Sequence, residues 1–292
     1  MSDTATSALR QLLGSSRPVS WINTAYPFAA AYLMAGGGLD LALVVGTLYF
    51  LIPYNLLMYG VNDVFDYESD LRNARKGGIE GIVLDRRWHR TTIWASVLSN
   101  LPFVVALVLL GSAASTAVLT VSVLAVIAYS APVLRFKERP VLDSLTSSTH
   151  FVSPAVFGLV LAGGSLEGAA LAALVAFFLW GMASHAFGAV QDVTADREAD
   201  ISSVATWLGA ARTTRLSLGL YAAAGVAALW TGWPGALAAV LVVPYILSIW
   251  PFRSLPDERC EEANAGWRRF IWFNLGTGFL VTQLLIAIAW TR

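Results

Sequence analysis

Two stretches of this 292-residue chain concentrate carboxylates. The first reads Asn62-Asp63-Val64-Phe65-Asp66-Tyr67-Glu68-Ser69-Asp70. The second reads Gln191-Asp192-Val193-Thr194-Ala195-Asp196-Arg197-Glu198-Ala199-Asp200. Asp63, Asp66 and Asp70 are spaced i, i+3, i+7, and Asp192, Asp196 and Asp200 are spaced i, i+4, i+8, so each trio is expected on one face of a helix. Like charges at that spacing repel, so the helix gains no stability from them and each trio calls for a compensating cation. Clustered hard oxygen donors suit Mg2+, which bridges a few carboxylates to substrate phosphates. A single cluster of this kind reads equally well as a solvated acidic helix end neutralised by arginine. Two matching clusters favour metal–phosphate chemistry.

Basic residues lie near both. Arg72, Arg75 and Lys76 follow the first cluster, and Arg135 and Lys137 occupy a separate segment. Phosphate recognition uses arginine forks and lysine point charges, and Arg72 and Lys137 are the foremost candidates. Metal and basic side chains together neutralise the charge that grows on a departing diphosphate. An allylic C–O bond would then ionise, and the cation would need shelter from water and an aromatic face. Tyr59 shares the expected face of Asp63 and Asp66, as do Asn55 and Asn62, although a tyrosine there also reads as an interfacial aromatic. His185 precedes Asp192 by seven residues on its face, with Ser184 and Gly188 nearby. Small residues there leave room for a flat, rigid substrate or serve close helix packing. His185 reads as a substrate-binding residue and an acceptor of a product proton, or as an uncharged packing residue.

The elements that must position these groups are read from composition. Hydrophobic residues make up 57% of the chain and charged ones only 13%; mean hydropathy is +0.63. Such a chain is not disordered, and with 19 basic against 19 acidic residues it lacks the basic excess of a nucleic-acid binder. So few charges cannot cover a water-facing surface, which leaves a polytopic membrane protein. The single cysteine, Cys260, excludes an intrachain disulfide. No linker divides residues 1–292, which read as one membrane domain, and no leader-type apolar segment precedes the first span.

A bilayer crossing takes about 20 apolar residues. Nine stretches qualify, near 19–35, 39–60, 92–110, 115–134, 142–162, 167–190, 213–230, 235–251 and 268–290. Continuous apolar runs favour helices over the alternating strands of a barrel, so the fold class is all-α: nine transmembrane helices around a central cavity. On this reading 18 of the 19 Lys and Arg residues fall on one side. The expected site is the cell membrane, with the N-terminus and both carboxylate clusters cytoplasmic and the C-terminus outside.

In these motifs the chain resembles the UbiA superfamily of intramembrane prenyltransferases. Asn62, Asp63, Asp66 and Asp70 fit its NDxxDxxxD pattern, and Asp192 and Asp196 its DxxxD pattern. The segment Tyr129-Ser130-Ala131-Pro132-Val133-Leu134-Arg135-Phe136-Lys137 is similar to its YSxxLKR-like diphosphate loop. The resemblance implies nine helices, Asp ligands to Mg2+, and diphosphate gripped by Arg72 and Lys137, with Lys76, Tyr129 and Arg135 beside them. Many members carry Gly where this chain has Asp200, which is either an added ligand or a helix cap. The text around Asp196–Gly209 and Arg72–Gly81 resembles the carotenoid branch, the lycopene elongases of C50 pathways. That implies dimethylallyl diphosphate as donor, lycopene as an apolar acceptor drawn from membrane lipid, and no nucleic acid. Other readings are prenylation of an aromatic quinone precursor and, in a different class, cation transport.

Overall fold

A computed structural model describes residues 3–71 and 82–291, without the side chains of residues 3–6, 69, 70 and 271. Arg72, Arg75 and Lys76 lie outside the described residues. Every regular element among the described residues is helical. The helices are α1 (Asp3–Ser15), α2 (Ile22–Met34), α3 (Leu41–Phe65), α4 (Tyr67–Asp70), α5 (His89–Leu110), α6 (Ala113–Ser130) and α7 (Leu142–Leu161). They continue with α8 (Gly168–Val190), α9 (Val193–Glu198), α10 (Val204–Leu208), α11 (Ala210–Leu229), α12 (Gly235–Phe252) and α13 (Asn264–Thr291).

Seven helical stretches among the described residues are long and apolar enough to cross a membrane. They carry large apolar side chains outward, such as Leu109 at 81% and Trp290 at 86% exposure, which only lipid tolerates on this scale. Two of the nine expected spans fall outside this set. Residues 19–35 yield α2, 13 residues long, short of the bilayer requirement. Residues 213–230 yield α11, whose 20 residues include Arg212, Thr213, Thr214, Arg215 and Ser217, and these dilute its apolar character.

The chain forms two compact units. The first comprises Met1–Arg135 and Ser153–Gly164, the second Phe136–Val152 and Ser165–Arg292. The first unit is built on an aromatic core in which Phe28, Tyr49, Phe50, Tyr54 and Phe157 are all fully buried, with neighbouring rings 4.9–5.9 Å apart. Its central helix, α3, is not regular. Pro53 has no N–H to donate, the backbone departs at Ile52 (φ −119°, ψ −62°), and residues Leu56–Gly60 form a π-helical turn. Backbone carbonyls in an apolar setting must find donors. Asn55 Nδ2 supplies the carbonyls of Phe50 (2.7 Å) and Leu51 (3.1 Å). From α5, Asn100 Nδ2 supplies Pro53 O at 2.7 Å and Ser96 Oγ supplies Leu56 O at 3.2 Å. The result is a braced, irregular helix whose last turn carries Asn62 and Asp63.

The second unit packs α8 along α11. Its core holds Phe187, Tyr221 and Tyr245, with Trp180 and Phe270 stacked at 5.6 Å against it. The first half of α7 belongs here and is tied to α8 by Ser148 Oγ donating to Phe178 O at 2.7 Å.

Candidate active site

In the first unit Asp63 is fully buried. Asp66 ends the helix: its φ/ψ of −99°/5° is non-helical, and its N–H donates to Asn62 O at 2.9 Å. The chain then turns into the separate α4, which ends at Asp70. The helix that carries Asp63 keeps Asp66 in register and does not run on to Asp70, so the expectation of one helix is corrected for Asp70. Repulsion between like charges at helical spacing favours breaking the helix at the second of them. The side chain of Asp70 is outside the described residues.

Arg17 Nη2 donates to Asp63 Oδ1 at 3.2 Å, and its guanidinium lies 4.3 Å from the ring centroid of Tyr59. Tyr59 and Asp63 thus share one cationic partner, as their expected common face requires. Arg17 reaches them from a left-handed backbone (φ 50°) just after α1. No local pattern marked this residue, which lies 46 positions away from Asp63 in the chain. Arg135, also left-handed (φ 38°), places Nη2 at 3.8 Å from Asp66 Oδ1. Asn62 Oδ1 accepts from Ser130 Oγ at 3.0 Å, which ties the first motif to the Tyr129–Arg135 segment; Tyr129 is half-buried. Asn55 is fully buried. Its amide nitrogen also lies 2.7 Å from Thr24 Oγ1, whose own hydroxyl donates to Phe50 O at 2.6 Å, so the shared cluster ties α2 to α3.

In the second unit Asp192 sits at the break between α8 and α9, with φ/ψ of −104°/0°. Asp196 follows on α9, its N–H donating to Asp192 O at 2.8 Å. Asp200 leaves that face: it is left-handed (φ 56°). The N–H of Ile201 donates to Asp196 O at 2.8 Å and that of Asp200 to Arg197 O at 3.2 Å, the paired bonds that close a helix end on a left-handed residue. This conformation explains a family preference for Gly at the position. The one-face expectation is corrected for Asp200 on this ground.

Arg197 braces the motif from behind. Its Nη2 and Nε donate to Thr206 O at 2.7 and 3.1 Å, and its Nη1 to Asp257 Oδ2 at 2.6 Å; Asp257 Oδ1 accepts the N–H of Ala210 at 2.7 Å. On α8, His185 is half-buried, and its Nδ1 lies 3.1 Å from Ser144 Oγ. Lys137, on the short turn Phe136–Glu138, is half-buried as well.

The donors fit a hard divalent cation in kind. All are carboxylate oxygens, and the guanidinium groups of Arg17 and Arg135 already stand as cations against Asp63 and Asp66. Among the described residues, no three His, Cys, Asp or Glu side chains gather into one metal-binding group.

Apolar helices with carboxylate motifs at their ends define, among the described residues, a helical membrane protein with polar sites at helix termini. The UbiA prenyltransferase family model matches residues 24–275, and the chain belongs to that family of prenyltransferases. It is 53% identical over 280 residues to a lycopene elongase/hydratase of Corynebacterium glutamicum, covering 96% of this chain and 98% of that one. It is 55% identical over 279 residues to the C(50) beta-cyclic carotenoids biosynthesis protein LbtBC of a Dietzia strain, covering 95% of this chain and 65% of that protein. Its fold is similar to that of a UbiA homologue from Archaeoglobus fulgidus bound to DMAPP and Mg2+, with a TM-score of 0.66, 18% identity, and coverage of 91% of this chain and 98% of that one.

Proposed function

We propose that the chain transfers the dimethylallyl group of dimethylallyl diphosphate to the ends of lycopene, a Mg2+-dependent step of C50 carotenoid formation. The observation that carries this reading is the 53% identity, over nearly the whole of both chains, to a relative named lycopene elongase/hydratase.

Asp63, Asp66 and Asp70 on one motif, and Asp192, Asp196 and Asp200 on the other, are the carboxylates offered to Mg2+. When bound, the metal neutralises charge on the departing diphosphate. Arg72, Lys76, Arg135 and Lys137 grip the diphosphate oxygens, with Asn62 and Tyr129 holding the loop that presents them. Tyr59 turns an aromatic ring to the allylic cation, oriented by Arg17. His185 belongs to the wall of the acceptor site, and Asn55 braces the helix that carries the first motif. α2 and α11 complete a set of nine membrane helices, and residues 1–292 act as one prenyltransferase domain. The protein lies in the cell membrane with its N-terminus and both motifs on the cytoplasmic side and its C-terminus outside.

The deciding experiment incubates the purified chain in lipid nanodiscs with dimethylallyl diphosphate and Mg2+. Parallel samples receive lycopene or 4-hydroxybenzoate. C45 and C50 products from lycopene, lost with EDTA and restored by added Mg2+, are expected. Product from 4-hydroxybenzoate alone would assign the chain to aromatic acceptors, and absence of diphosphate release from either would remove the transferase reading.

A further inference from the structure

A buried polar cluster in the second unit has no part in metal or diphosphate binding. Asp143, in the first turn of α7, is fully buried. Its Oδ1 accepts the N–H of Ser144 at 2.7 Å and its Oδ2 the N–H of Val204 at 2.8 Å. A carboxylate withdrawn from water is costly unless a positive partner answers it. The field of Asp143 also reaches the imidazole of His185 on α8, second to the burial of that ring. Ser144, only 3% exposed, donates its backbone N–H to Asp143 and places its Oγ 3.1 Å from His185 Nδ1. The carboxylate thus fixes the backbone of Ser144 while the hydroxyl of that residue meets the imidazole, with Asp143 and Ser144 sealed in the protein and the ring half-exposed.

The position of the ring matters as much as its partners. His185 lies seven residues, or about 10 Å along the helix axis, deeper into α8 than Asp192. A diphosphate at Asp192, a five-carbon unit and the first acceptor carbons together extend over that depth. A histidine that only filled space would not need a ring nitrogen held by a buried hydroxyl.

We propose that His185, held by Ser144 and Asp143, is the base that takes the proton released when the alkylated acceptor cation is quenched; this rests on the function proposed above. The C1–O bond of dimethylallyl diphosphate breaks and its electron pair leaves with diphosphate. The π pair of the terminal acceptor double bond forms the new C–C bond to C1, leaving a tertiary cation on the acceptor. A C–H bond beside that cation gives its pair to a new double bond and its proton to His185 Nε2. If water adds to the cation first, the same nitrogen takes the proton of the oxonium and an alcohol results. In the tautomer this requires, Nδ1–H donates to Ser144 Oγ and Nε2 carries the lone pair. The resulting imidazolium is stabilised by Asp143 and returns its proton to diphosphate or water. Asp143 and Ser144 are positioning residues, since they act through the ring.

The test compares the native chain, His185→Gln and Ser144→Ala in nanodiscs with dimethylallyl diphosphate, Mg2+ and lycopene. His185→Gln is expected to lower kcat about 100-fold, the scale of a lost general base, with the KM values for donor and acceptor within about twofold. Ser144→Ala, a milder change, is expected to lower kcat several-fold and to alter the ratio of alkene to alcohol product. Native kcat and native product ratio in both variants would overturn the assignment, as would a His185→Gln effect confined to the KM for lycopene. Should His185→Gln fail to fold, judged by thermal unfolding, the product ratio of Ser144→Ala decides. If the native chain makes no product from lycopene, the functional reading fails and this inference falls with it. A native chain that works beside variants that behave identically sinks this inference alone.

Discussion

At the scale of single residues, two of the carboxylates proposed to hold metal already face guanidinium groups. Asp63 is buried without exposure and paired with Arg17, whose own side chain is 19% exposed. Arg17→Ala removes a charged partner from a buried carboxylate and is expected to cost about 1–3 kcal/mol of stability in the metal-free protein. Mg2+ should recover more stability in the variant than in the native chain, because the metal then supplies the missing charge; thermal unfolding with and without Mg2+ reads this directly. Asp63→Ala and Asp192→Ala are expected to lower diphosphate release about 100-fold or more while membrane insertion is unchanged. Near-native turnover in either variant would remove that residue from the metal set. The carboxylates and their spacing were legible in the sequence because motif residues are near neighbours along the chain. Arg17 was not, because its place beside Asp63 depends on a left-handed turn and a contact across 46 positions.

At the scale of elements, both motifs sit where helices end. The first follows a helix that Pro53 and a π-helical turn have made irregular, and the second spans the break between α8 and α9. Asp200 closes α9 from a left-handed backbone. Asp200→Gly is therefore expected to leave stability unchanged or raised, and Asp200→Val to destabilise, because a β-branched residue resists positive φ. Retained turnover in a stable Asp200→Gly chain would exclude Asp200 as a required metal ligand. Packing sets a second limit. A Cβ at Gly158 of α7 would lie 2.4 Å from the backbone oxygen of Phe28 in α2. Gly158→Ala should push these helices apart and lower the unfolding temperature, since the obstacle is main chain and cannot rotate away. Asp40 starts α3 by accepting the N–H of Leu43 at 3.0 Å and also accepts from the Tyr32 hydroxyl at 2.8 Å. These bonds hold its carboxyl below the ordinary carboxylate range, the backbone bond first. A lowered folded-state pKa means that the stabilisation is present near neutral pH and fades as pH falls through that value. The stability difference between native and Asp40→Ala chains should shrink on acidification in a pH series of thermal unfolding.

At the scale of the whole molecule, the sidedness of basic residues sets the expected topology. A cysteine introduced by Ser7→Cys should label with a membrane-impermeant thiol reagent only from the cytoplasmic side, and Arg292→Cys only from outside. The native Cys260, 1% exposed, is a quiet background in both. Reversed labelling would overturn the orientation. The same composition that made the chain a membrane protein blurred the count of its crossings. Residues 19–35 are mostly apolar, but the helix there is only 13 residues long. α11 is long enough but carries two arginines and several hydroxyls near its start.

The sequence by itself determined the helical membrane class, the two carboxylate motifs and the family, because each depends on residue type and short-range spacing. Tertiary structure alone decided where those helices stop. Charge repulsion and left-handed backbones act through φ and ψ, which residue spacing does not report. It also decided which distant groups meet the motif residues and His185. Arg17 on Asp63, Ser130 on Asn62, and Ser144 with Asp143 on His185 are contacts between elements. Each forms only when packing brings together side chains that lie 41 to 68 residues apart.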